Sequence, residues 1–132
     1  MADTLMNSLR GYALSIMRMV IGLTFMSHGL QKVLGLLGGK PQPITTLGGA
    51  GGYLELIGGI LILAGLLTRP AAFVLCGEMA VAYFKMHAPQ GLWPIVNHGE
   101  LAVVYCFVFF YLMFSGAGPL SLDRLLGSKK KS

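Results

Sequence analysis

Apolar residues run along this chain in four long blocks, separated by two polar, Gly/Pro-rich loops and one tight turn. The clearest block covers residues 56–67, free of charge, preceded by Glu55 and closed by Thr68-Arg69-Pro70. No face of it is polar, so it does not read as the surface helix of a soluble protein. Begun at Gly49 or Gly51, it reaches about 20 residues, enough to cross a hydrocarbon core of about 30 Å at 1.5 Å per residue. The pattern predicts four spanning helices over about residues 9–37, 50–67, 70–87 and 98–114. Residues 38–49 (GGKPQPITTLGG) and 88–97 (APQGLWPIVN) cannot continue a helix and read as loops, with Trp93 suited to an interfacial anchor. Pro70 fits the first position of the third helix. Residues 1–12 read as an interfacial lead-in, and 121–127 as a short amphipathic helix with Ser121 as N-cap. The lysine run 129–131 suits anionic headgroups.

Composition agrees with the pattern. Of 132 residues 55% are hydrophobic and 11% charged, with mean hydropathy +0.70, where a soluble domain carries about 25% charge. The expected fold is all-α and integral to a membrane: one four-transmembrane-helix bundle. The net charge of +5 is scattered over chain ends and loops, which excludes a nucleic-acid patch and reports topology instead. Arg10, Arg69, Arg124 and lysines 129–131 fall at one end of a four-span bundle, and Lys32, Lys40 and Lys85 at the other. Basic residues favour the cytoplasm, so both termini are expected inside. The first residues lack the apolar core of a cleavable signal peptide. Cys76 and Cys106 lie far apart with no C-x-x-C motif and read as small packing residues.

Ionisable residues inside the apolar blocks are the candidate functional groups, because charge at membrane depth is costly. Only nine residues separate Arg18 from His28, too few for a span, so Arg18 or the group His28, Gln31 and Lys32 lies within the membrane. Arg18 either snorkels to the interface or faces inward with a partner. Taking Arg10, Thr68, Arg69 and Ala117 as one level, Arg18 and Glu78 reach mid-membrane, where a buried ion pair between them is expected. By the same count His28, Glu55, His87, His98 and Glu100 converge on the outer third. Gln31, one turn beyond His28, should share its face. These six residues are the candidates for ligand binding or proton relay; histidine titrates near neutral pH. Alternatively they are wet side chains at helix ends. A metal is not expected: His28 and His87 lack the Glu-x-x-His spacing of di-iron bundles, and His98 and Glu100, two apart, point to different faces. A faint echo relates Ser27-His28-Gly29-Leu30-Gln31 to Met86-His87-Ala88-Pro89-Gln90, and Tyr53-Leu54-Glu55-Leu56 to His98-Gly99-Glu100-Leu101. It would make the molecule two helical hairpins in a parallel pseudo-repeat.

From about residue 14 to 126 the sequence resembles the DoxX family of small four-helix membrane proteins. The likeness rests on Arg18, on His28-Gly29-Leu30-Gln31-Lys32, and on Glu55-Leu56-Ile57-Gly58-Gly59 leading to Gly65-Leu66-Leu67-Thr68-Arg69. His87, Glu100-Leu101 and Gly116-Ala117-Gly118-Pro119-Leu120-Ser121-Leu122-Asp123 complete it. The resemblance implies a multi-pass protein of the prokaryotic cytoplasmic (inner) membrane, in a family often labelled oxidoreductase after one thiosulfate:quinone oxidoreductase subunit. Two functions are expected. The first is a non-catalytic binding or assembly module in the lipid bilayer, with a polar cluster on its outer side that holds helices together or binds a ligand such as a small lipid. The alternative is the membrane subunit of an oxidoreductase working with quinone or small sulfur compounds, His28, Glu55, His87 and Glu100 meeting the quinone head. No intrinsic cofactor is expected. A protein partner or a second copy is, since electrons would have to come from elsewhere.

Overall fold

The computed structural model describes residues 1–130, with side chains through residue 127. Every regular element among them is helical: α1 Ala2–Gly29, α2 Leu47–Ala64, α3 Thr68–Ala82, α4 Pro94–Asn97, α5 Glu100–Ser115 and α6 Leu122–Lys130. α1 and α3 each run on into a single π-helical turn, Leu30–Leu34 and Tyr83–His87. Residues 2–12 are not a separate element but the first turns of α1, which is continuous from Ala2 because nothing in its first residues breaks a helix. The lysine side chains of 129–131 lie outside the described residues. With its π-turn α1 is long and apolar enough to cross a membrane, as is α2, while α5 is a shorter apolar helix.

The helices pack as two antiparallel pairs, α1 against α2 and α3 against α5, joined mainly along α2 and α3. Glycines make the first pair tight. A Cβ at Gly59 would stand 2.6 Å from the Met26 backbone nitrogen, and Gly22 and Gly29 lie equally close to the backbone at Leu63 and Leu56. Side chains there would force the helices apart. The shared core is aromatic and aliphatic: Phe25, Ile62, Leu75, Phe109 and Leu112 are fully buried, with Phe25 edge-on to Tyr105 at 5.0 Å and to Phe109 at 4.9 Å. The outward faces are apolar too, carrying Ile16, Val20, Leu23, Ile57, Phe73, Phe107 and Phe114 in the open. A surface of that kind belongs against lipid or protein rather than water.

The expected pseudo-repeat related the segments around His28 and His87. Each pair's first helix ends in a π-turn, but the histidines are out of step: His28 stands two residues before its π-turn and His87 closes its own.

At the lower end, where α2 closes and α3 opens, one arginine gathers the chain. Arg18, 1% exposed, donates from Nε to the Ile62 carbonyl at 2.9 Å and from Nη2 to Leu120 at 2.8 Å and Leu63 at 3.5 Å; Nη1 donates to Ala117. These carbonyls lie at the end of α2 and in the turn before α6, where helix ends leave acceptors over; Ile62 O also accepts from Gly65 N and Ala117 O from Ser15 Oγ. The ion pair expected between Arg18 and Glu78 therefore does not form. Arg10 is not level with Arg69: Gly22 lies against the Leu63 backbone and Gly29 against Leu56, so in this antiparallel register Arg18 reaches the end of α2 and the first residues of α1 overhang it. Nearby, the Asp123 carboxylate accepts from Leu67 N at 2.7 Å and Thr68 N at 3.0 Å, capping α3.

Candidate functional site

The upper end, where α1 and α3 finish and α2 and α5 begin, holds the polar cluster. α2 starts cleanly there because the Thr46 hydroxyl accepts from Gly49 N at 3.0 Å, and its third turn carries Glu55 inward, 5% exposed. Lys32, in the π-turn of α1, donates from Nζ to Glu55 Oε1 at 2.8 Å. Glu55 Oε2 is buried with no partner. A buried carboxylate oxygen without a donor is costly, so this half of the group is poised for one.

The pair stands between two cavities. The larger, about 450 Å³, is walled by His28, His87, His98 and Tyr105 with Lys32 and Glu55, over an apolar floor of Phe25 and Met79. The smaller, about 320 Å³, lies between α2 and α3 and takes in Lys32, Glu55 and Glu78. In the larger chamber the His28 ring meets Tyr105 edge-on with centroids 6.1 Å apart, and the Tyr105 hydroxyl donates to Thr24 Oγ1 at 3.0 Å. His87 Nδ1 donates to the Asn97 carbonyl at 3.1 Å, which leaves Nε2 as the ring's acceptor when neutral.

Four of the six candidate residues, His28, Glu55, His87 and His98, thus surround one cavity. Gln31 and Glu100 do not. Gln31 turns toward the following loop and donates to the Leu37 carbonyl at 2.9 Å, since the wider π-turn rotates it off the His28 face. Glu100 is exposed because Ala102 and Tyr105 hold the inward face of α5, and a residue two before Ala102 points the other way. His98 is itself exposed and reaches the rim from a left-handed backbone, φ 61°. Glu78 belongs to this upper layer rather than to Arg18: it lines the smaller chamber, and its Oε2 is buried without a partner.

Residue-by-residue reading missed Lys32 as Glu55's partner, although it stands one turn past His28. Asn97 was also missed. Fully buried, it donates to Gly91 O at 2.7 Å and the Tyr83 hydroxyl at 3.1 Å, and accepts from Gly99 N at 2.8 Å, which fixes the loop before α5. Cys76 and Cys106 meet across α3 and α5 with their sulfurs 3.7 Å apart. Among the described residues no three His, Cys, Asp or Glu side chains are grouped to hold a metal ion.

An all-helical chain with an apolar exterior and a buried polar cluster at one end is the architecture of a small membrane protein. This one belongs to the DoxX family, whose model matches residues 13–88, a stretch that includes His28, Lys32, Glu55, Glu78 and His87. It is 42% identical over 128 residues to an uncharacterized protein of Haemophilus influenzae, covering 87% of this chain and 91% of the relative. It is 28% identical over 132 residues to the inner membrane protein YqjF of Escherichia coli, covering 94% and 99%. It is also 28% identical over 127 residues to a Bacillus subtilis protein named "Putative oxidoreductase CatD", covering 89% of each. No solved structure matches the chain.

Proposed function

We infer that the protein is a multi-pass binding module of the prokaryotic cytoplasmic membrane, with four spans and both termini inside. Its larger chamber opens outward and holds a small polar or amphipathic ligand without transforming it. α1, α2, α3 with its π-turn, and α5 are the spans; their outward apolar side chains support this, and the location follows that of the inner membrane relative. The observation that carries the reading is Glu55: one oxygen is fixed by Lys32, the other is buried and unpartnered, and the side chain lines this chamber together with His28 and His87. Two imidazoles and a carboxylate offer both donors and acceptors, and the floor of Phe25 and Met79 takes an apolar portion. A second copy or another protein would meet the exposed apolar faces of α3 and α5.

The test is mass spectrometry of small molecules retained by mildly solubilised protein. The wild type is expected to retain a ligand that His28→Ala and Glu55→Gln lose while keeping their melting temperatures near that of the parent; retention unchanged in both variants would overturn the reading. Reporter fusions after Ser132 and in the loop at residues 38–49 test the orientation, and an extracytoplasmic C-terminus would reverse it.

A second reading, the membrane subunit of a quinone-linked oxidoreductase, is favoured by Tyr105 and Phe25 beside the two histidines and by the name of the Bacillus subtilis relative. His28, His87 and Tyr105 would hold the quinone oxygens. A bound quinone would supply two-electron chemistry, with a partner as the source of electrons. Quinone in the same extract, lost in His87→Ala, would decide for it.

A further inference from the structure

We propose that the smaller chamber is a separate binding site, entered sideways from the bilayer between α2 and α3, for the primary-amine head of a lipophilic molecule. It rests on the four-span reading above, which places these helix faces in lipid, but not on the outer chamber holding a ligand.

The rim and the interior of this chamber differ in chemistry. Leu54, Val74 and Val81 at the rim are large apolar residues exposed on the outward helix faces. Inside stand Glu55, Glu78 and Lys32. Lys32 satisfies one Glu55 oxygen, whereas Glu55 Oε2 and Glu78 Oε2 are buried with no partner. Two carboxyl groups share one ammonium, and the two buried oxygens it does not reach have no donor. An alkylammonium supplies donors, three N–H groups on one centre whose charge suits the carboxyl groups, while its chain lies along the apolar rim. An alcohol brings one donor and no charge; a quaternary ammonium brings charge and no donor.

Gly77 is an independent sign that the space is meant to stay open. Among the glycines of α1 to α5 it is the one whose added Cβ would meet nothing within 4 Å; the others lie against neighbouring chain. Close packing therefore does not require it, and glycine weakens a helix interior relative to alanine. It lines this chamber, where any side chain would take up its volume. Across the gap, a Cβ at Gly51 would stand 3.2 Å from Glu78 Oε1, so that side too is kept bare beside the carboxyl.

The experiment uses full-length protein in phosphatidylcholine nanodiscs and a dodecylamine carrying a photoreactive group on its chain, with crosslinked peptides mapped by mass spectrometry. Saturable labelling around residues 54, 74 and 81 is expected, at least tenfold weaker in Glu78→Gln, absent in Gly77→Leu and reduced in Gly77→Ala. His28→Ala, which alters only the outer chamber, should label as the wild type does, so failure of the outer-ligand reading leaves this result untouched. Equal labelling by the matching alcohol or trimethylammonium probe, or undiminished labelling of the Gly77 variants, would overturn the proposal. Competition by phosphatidylethanolamine added to the discs would identify that lipid head as the amine, and its absence a free lipophilic amine.

Discussion

The guanidinium of Arg18 donates to the carbonyl of Ala117, 99 residues further along the chain. Together with its bonds to Ile62, Leu63 and Leu120, this ties the end of α2 and the turn before α6 to the middle of α1. A planar fork of five donors can serve several carbonyls at once; a lysine cannot. Its direct partners are carbonyl oxygens of a helix end and a turn rather than a carboxylate, and the negative charge of Asp123 at the start of α6 acts on it from nearby.

Arg18→Gln should therefore lower stability by at least about 3 kcal/mol, since hydrogen bonds to a charged group contribute about 1.5–3 kcal/mol each and the carbonyls left behind are buried. Arg18→Lys should recover only part of the loss. Because Glu78 is not its partner, the Arg18→Gln and Glu78→Gln losses should add to within about 0.5 kcal/mol in thermal unfolding in detergent. A double variant more stable than that sum predicts would restore the ion pair.

Asp123 is the cap of a helix 55 residues earlier, with one oxygen on Leu67 N and the other on Thr68 N. Asp123→Ala should cost about 1–2 kcal/mol, in the range of lost N-caps, and Asp123→Asn less because one acceptor remains. Faster amide exchange at Thr68 in the alanine variant, with exchange in α2 unchanged, would locate the effect at the start of α3.

Helix type and approximate bounds were legible because uninterrupted apolar runs leave little choice. Depth was not. Nothing in residues 1–12 marks where α1 enters the other helices, so a level drawn through Arg10 displaced Arg18 toward the middle. Its partners were hidden for a further reason: backbone carbonyls leave no mark in a sequence. Around the cluster, helical spacing placed His28 and Glu55 near one another, yet it misassigned Gln31 because a π-turn begins at Leu30, and Glu100 because the inward face of α5 starts at Ala102. The meeting of Cys76 and Cys106 depends on the register of α3 against α5, which apolar pattern alone does not set.

That register gives a direct check. With the two sulfurs 3.7 Å apart, mild oxidation of the detergent-solubilised protein should form one intramolecular disulfide, losing two free thiols by alkylation and mass spectrometry. Cys76→Ser should leave Cys106 alkylatable throughout. If the parent instead yields only disulfide-linked dimers, α3 and α5 do not face each other as described.

The pair of Lys32 and Glu55 is where structure and binding meet, and its two halves should respond differently. Lys32→Met leaves Glu55, 5% exposed, with neither oxygen partnered. Glu55→Gln leaves an ammonium that is 31% exposed and can turn to water or headgroups. The lysine variant should therefore be the less stable, by about 1–3 kcal/mol, the cost of stranding a buried acceptor. Adding Glu55→Gln to Lys32→Met should recover much of that loss, because the charge needing a partner is gone. Thermal unfolding of the two single variants and the double in one detergent gives the coupling. A double variant as unstable as the sum of the singles would mean that Lys32 acts only through packing, and that Glu55 finds its donor elsewhere.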